Sequence, residues 1–104
     1  MNKMKSTYHI FFTNLANPLK IDIILYLKKS EKSVTEIVKC LNVEQSKISH
    51  ALSSLRKCNI VDMKKVGKQR IYSLNKDTIV PMLKLIDKHS THYCKKNCAG
   101  CPRK

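Results

Sequence analysis

The side chains best equipped for chemistry crowd the C-terminal end of the chain. Cys94, Cys98 and Cys101 follow one another in a C-x3-C-x2-C spacing that closes on Pro102, with His89 and His92 just upstream. Thiolates at such spacings converge on one ion when the chain turns, and Gly100 with Pro102 favours a turn. Soft sulfur ligands suit zinc or another thiophilic metal, Cu(I), Cd(II) or an iron–sulfur cluster. The expectation is a metal site drawn from Cys94, Cys98, Cys101, His92 and His89. Redox-reactive thiols are a second reading, and a disulfide or no role a third. On a continuing helix His89, five residues before Cys94, faces elsewhere, and His92 is only two residues away. A fourth ligand from a second copy of the chain, from Cys58 or from Cys40 is therefore an open alternative.

A different chemistry is written into residues 43–61. Ile48, Ala51, Leu52 and Leu55 fall at i, i+3, i+4 and i+7, one apolar stripe of a helix. Outside it stand Gln45, Ser46, Lys47, Ser49, His50, Ser53, Ser54, Arg56 and Lys57, with no carboxylate beyond Glu44 at the start. A merely solvated face more often mixes Glu with Lys, whereas hydroxyls, an amide, an imidazole and cations suit hydrogen bonding to bases and phosphates. This reads as a DNA recognition helix.

Composition agrees. The formal charge is +14, from 21 Lys and Arg against 7 Asp and Glu, far beyond what solubility asks of a small domain. A polyanion is the expected partner, and double-stranded DNA leads. A membrane is set aside, because no helix joins a cationic face to a large exposed apolar one. At 104 residues, 42% of them hydrophobic, with two Gly and three Pro, the chain reads as one folded, mostly helical domain. It is also near the size at which dimerisation adds needed apolar burial. No apolar run reaches transmembrane length, and residues 1–13 lack the apolar core of a signal peptide. The expected location is the cytoplasm, where cysteines are thiols or metal ligands before they are disulfides.

The elements that position these residues can be taken in order. Residues 1–7 read as a flexible basic N-terminus, and Ile10, Phe11, Phe12 and Leu15 as a short apolar helix over residues 8–15. Asn17 and Pro18 form a helix start, N-cap followed by first helical position, for a second helix to about Leu27. Residues 28–32 read as a polar connection. Ser33 and Glu36 have capping-box spacing for a third helix over residues 34–41, which Asn42 ends in the left-handed conformation. The recognition helix follows at about Glu44, completing a helix-turn-helix. A plain helical pair is the bland alternative. After Asn59 the period changes to 2, and residues 61–65 and 70–74 read as a β-hairpin with Gly67, Lys68 and Gln69 in its turn. A helix-turn-helix followed by a basic hairpin is a winged helix. From Gln45 to Arg70 there are seven basic residues against one acid, Asp62. The hairpin's cations would grip backbone or minor groove while the helix reads base edges, beyond what guarding a sheet edge asks of them. Thr78 would cap a last helix, with Ile79, Met82, Leu83 and Ile86 on one face and Pro81 in its first turn.

Several stretches, in this order, resemble the ArsR/SmtB family of winged-helix repressors. They are L-A-N-P-L-K-I-D-I-I-L-Y-L at residues 15–27, S-V-T-E-I at 33–37, K-I-S-H-A-L-S-S-L-R at 47–56, N-I-V at 59–61 and G-K-Q-R-I-Y-S-L at 67–74. The resemblance covers roughly residues 11–86. It implies a homodimer, paired through its first and last helices, that binds operator DNA and is released by metals, metalloids or thiol oxidation. There are departures. Glu44 stands where the family usually has a Ser N-cap, and His50 is displaced by one position from the family's S-x-H-L pattern. Cys40 alone represents a C-x-C thiolate sensor. Asp87 and His89 begin a D-x-H pattern whose distal histidine would fall on Gly100. Tyr72 matches the wing pattern and is expected to pack the hairpin on the core.

The resulting expectation is mainly α with a small hairpin, a winged helix-turn-helix over residues 8–88 followed by a Cys/His-rich tail over 89–104. The expected DNA contacts are Gln45, Ser46, Lys47, Ser49, His50, Ser53 and Lys57 from the helix and Lys64, Lys68 and Arg70 from the wing. The expected function is a sequence-specific transcriptional repressor, metal- or thiol-responsive through the tail. A constitutive, weakly sequence-specific DNA- or chromatin-coating protein and a winged helix that binds only protein are the alternatives. An enzyme is not expected, since there is no phosphate-cradling Gly-rich loop and no H-E-x-x-H motif.

Overall fold

The structure is a computed structural model that describes the backbone of residues 3–94 and the side chains of residues 8–92. Five α-helices and a three-stranded sheet follow in the order α1 (Lys3–Ala16), α2 (Pro18–Lys29), β1 (Lys32–Ser33), α3 (Val34–Leu41), α4 (Gln45–Lys57), β2 (Val61–Val66), β3 (Gln69–Leu74) and α5 (Ile79–His89). A π-helical turn over Ser90–Cys94 extends α5. Among the described residues no single helix is long and apolar enough to cross a membrane.

Local chemistry sets most of the helix ends. The Asn17 side chain accepts from the Lys20 N–H at 3.0 Å, with Pro18 behind it in the first turn. At α3 the Ser33 hydroxyl accepts from the Glu36 N–H at 3.1 Å, and the Glu36 carboxylate accepts from the Ser33 N–H at 2.8 Å. That backbone hydrogen bond is the main cause holding the Glu36 carboxyl below its ordinary range; burial opposes it, and the Ser33 side chain and Lys32 add to it. With the folded value lowered, this stabilisation is complete above the ordinary carboxylate range and is lost as pH falls through the lowered value. Ser33→Ala deletes one arm of the box, and a loss of about 1 kcal/mol in thermal unfolding at neutral pH is expected. Asn42 ends α3 at φ 55°. Asn59, at φ 58°, ends α4 in the same way. Its N–H reaches the Arg56 carbonyl at 3.0 Å and that of Ile60 reaches Leu55 at 3.0 Å, a Schellman closure.

Three boundaries differ from the sequence expectation. The first helix begins at Lys3 rather than Tyr8, inside the segment read as a flexible N-terminus. The connection after α2 contains β1, whose Lys32 and Ser33 pair antiparallel with Tyr72 and Ile71 to give the order β1-β3-β2. Two residues are too few to show a period, so no alternation announces that strand. Thr78 makes no side-chain cap for α5. Instead the Asn75 side chain accepts from the N–H groups of Asp77 and Thr78 at 2.8 and 3.2 Å. It also donates to the Asn59 carbonyl at 2.9 Å, tying the start of α5 to the end of α4.

In the wing β2 and β3 pair from Val61↔Leu74 to Val66↔Gln69, leaving Gly67 and Lys68 as a two-residue turn. Gly67 sits at φ +63°, and a Cβ there would meet nothing within 4 Å, so backbone conformation alone favours glycine. One apolar core gathers Ile23, Ile24 and Leu27 of α2, Ile37 of α3, Ile48, Ala51, Leu52 and Leu55 of α4, and Val61, Tyr72 and Leu74 of the sheet. The predicted stripe of α4 and the inward Tyr72 are both in place. The core fixes which side of α4 remains outside.

Candidate nucleic-acid interface

The exposed side of α4 lies between two grooves. One, of about 360 Å³, is lined by Gln45 and Ser49 of α4, Lys68, Gln69 and Arg70 of the wing, and Ser33, Val34 and Thr35 at the start of α3. The other, of about 590 Å³, runs along the opposite flank, between Ser46, Lys47 and His50 of α4 and Asn17, Leu19 and Lys20 of α2. Each holds cations beside hydroxyl or amide groups, and neither is lined by a carboxylate. A helix presented in this way suits the major groove, with the two flanks toward the sugar–phosphate backbones that border it.

Seven of the ten predicted contact residues meet here, Gln45, Ser49, Lys68 and Arg70 on one flank and Ser46, Lys47 and His50 on the other. Ser53 and Lys57, farther along α4, are exposed but line neither groove. Lys64 forms a 3.4 Å ion pair with Glu31, outside both grooves. Glu44 makes no side-chain cap bond to α4, as its residue type leads one to expect, and accepts instead from the Ser46 hydroxyl at 3.2 Å.

Ser54, placed by its sequence on the probing face, points inward. Its hydroxyl donates to the Asn14 Oδ1 of α1 at 3.0 Å, and Lys20 Nζ donates to that same oxygen at 2.6 Å and to Ser54 Oγ at 2.9 Å. The Asn14 amide donates to Cys58 Sγ at 2.9 Å. Asn14 is only 3% exposed, so these bonds satisfy a side chain that would otherwise be costly to bury. Asn14, Asn17, Lys20 and Thr35 were missed by sequence reasoning. Nothing along α1, α2 or α3 marks them, since the α4 and wing residues beside them are brought there only by folding.

The model of the arsR family of bacterial regulatory proteins matches residues 17–63, from the N-cap of α2 into β2. NmtR of Mycobacterium tuberculosis, an HTH-type transcriptional regulator, is 31% identical over 75% of this chain and 65% of its own length. The SmtB homolog of Synechocystis, a transcriptional repressor, is 28% identical over 76% of this chain and 60% of its own. The crystal structure of M. tuberculosis Rv0081 superposes with a TM-score of 0.83 at 26% identity, covering 95% of this chain and 100% of that one. The chain belongs to the ArsR/SmtB family. It spans less than two thirds of the curated relatives NmtR and SmtB homolog. ArsR/SmtB proteins are transcriptional regulators, not enzymes.

Two further regions lie away from α4. Tyr8, Ile10 and Phe12 of α1 and Leu85 and Ile86 of α5 are exposed large apolar side chains. The second region is the tail. Cys98, Cys101 and the Cys94 side chain lie outside the described residues. His89 and His92 line one groove of about 370 Å³ with Leu85 and Lys88 at the end of α5. Asp87, the first residue of the D-x-H pattern, is ion-paired with Lys28 of α2. Cys40 is an exposed free thiol and Cys58 a half-buried one.

Proposed function

We propose that this protein is a homodimeric, cytoplasmic transcriptional repressor that binds operator DNA through α4 and the wing and responds to a metal or to thiol oxidation through its C-terminal tail. The observation that carries the DNA reading is the polar face of α4, set between two cation-bearing grooves that no carboxylate lines. In it Gln45, Ser46, Lys47, Ser49 and His50 face base edges and nearby phosphates, while Lys68 and Arg70 grip the backbone beside the wing. Ser53, Lys57 and Lys64 are peripheral contacts on the same reading. The exposed apolar residues of α1 and α5 support pairing of two copies, which would space the recognition helices by roughly 34 Å, one turn of DNA. The donor set Cys94, Cys98, Cys101, His92 and His89 has the softness zinc requires, and His89 and His92 already share one groove. Metal held there, next to α5, would bias the dimer geometry and so the operator affinity.

Titration of reduced protein with a labelled duplex from its own upstream region and with a random duplex, at one salt concentration, tests this. A preference of about 10³-fold or more for its own sequence is expected, and equal affinities would leave a coating protein. Repeating the titration with zinc and with a chelator should change operator affinity by about 5- to 150-fold. No change would remove the metal-sensing role and leave the tail a thiol switch or a structural element.

A further inference from the structure

We propose that Lys20, in the first turn of α2, is a DNA-phosphate ligand preset by Asn14 and Ser54, holding the strand on the flank of α4 opposite the wing. Nothing in the chain's motifs assigns it that role, and the inference rests on the DNA-binding reading above.

The ammonium of Lys20 is held by two neutral oxygens, Asn14 Oδ1 at 2.6 Å and Ser54 Oγ at 2.9 Å. Among the described residues it has no carboxylate partner. Of its three donors two are taken inside the fold, which leaves one for a ligand and the full positive charge unneutralised. Lys20 also lines the wider groove opposite Ser46, Lys47 and His50, so its charge stands beside the first turns of the recognition helix. A lysine on the open surface would lose rotamer freedom on gripping a phosphate; here folding has already removed that freedom. The acceptors come from α1 and α4, so the ammonium is registered against the recognition helix itself. Asn14 and Ser54 are thus positioning residues, and Lys20 is the contact. The ligand that fits is the phosphodiester backbone, because one remaining N–H and a whole charge serve a monoanion irrespective of base sequence.

The test is the salt dependence of binding by the full chain, measured on its own upstream duplex and on a random one. Lys20→Gln keeps an amide donor for Asn14 and Ser54 but removes the charge. The slope of log K against log salt is expected to shrink by about 0.9 for each Lys20 in the bound assembly, about 1.8 for the homodimer, equally on both duplexes, and Lys20→Arg should restore it. A merely structural Lys20 would weaken binding with the slope unchanged, and that result overturns the proposal. Thermal unfolding of each variant shows whether the fold is intact. Should Lys20→Gln not fold, the Lys20 15N ammonium resonance of the wild type takes its place. It moves on adding the random duplex if the contact exists, and an unmoved resonance overturns it. If the wild type binds neither duplex, the DNA reading fails; if it binds both and only the Lys20 slope is unchanged, this inference alone fails.

Discussion

Leu52→Ala is expected to lower the unfolding free energy by about 2–5 kcal/mol, the range for emptying a packed leucine site. Leu52 is 0% exposed and sits midway along α4, enclosed by a core that draws on α2, α3 and the sheet. A small domain has about 5–15 kcal/mol in all, so the variant would melt far earlier and could be partly unfolded at 37 °C. Ser53→Ala, one residue away on the exposed side, should stay within about 0.5 kcal/mol. Chemical denaturation followed by circular dichroism checks both, at one protein concentration because dimerisation makes stability concentration-dependent. Equal midpoints for the two variants would show that α4 is not anchored through its apolar stripe. The pair also separates the two duties of this helix, since one side supplies the core and the other is free to evolve toward a ligand.

Phe12→Asp and Leu85→Asp should each give a folded monomer that has lost most of its operator affinity. Phe12 is 59% exposed and Leu85 67% exposed, so neither side chain belongs to the buried core of the single chain, and Phe12 gives up only its edge-to-face contact with Phe11. In a two-fold dimer through α1 and α5 both would place a carboxylate in an apolar interface without a partner, a strongly unfavourable burial. Losing the second half-site removes avidity, worth about 10²–10⁴-fold in affinity. Sedimentation gives the oligomeric state, circular dichroism the fold, and titration with the upstream duplex the affinity. A variant that remains dimeric and binds as before would mean that these side chains face solvent and that pairing uses another surface. Binding to a random duplex should fall less than operator binding, because one module retains its own phosphate contacts.

The sequence by itself determined whatever depends on neighbours within about one turn or one pleat. The i, i+3, i+4, i+7 stripe of α4, the Ser33–Glu36 box, the Asn17–Pro18 start, the left-handed Asn42 and the period-2 wing are all local, and each stands where its residues put it. A +14 charge and a carboxylate-poor face likewise point to a polyanion from residue types alone. The metal reading of the tail rests on its sequence, because Cys98, Cys101 and the Cys94 side chain lie outside the described residues. Tertiary structure decided what depends on crossings between distant segments. It turned Ser54 inward onto Asn14, 40 residues away, and gave Lys20 two neutral acceptors. It replaced Thr78 by Asn75 as the cap of α5 and made a strand of Lys32 and Ser33 by pairing them with β3. It also paired Lys64 with Glu31, outside both grooves. Serine and lysine carry no periodic signal that separates an outward-facing donor from one buried against another helix. Only the packing of α1 and α2 on α4 distinguishes them; of the two grooves, one lies between α2 and α4, and the other between α4, the wing and the start of α3.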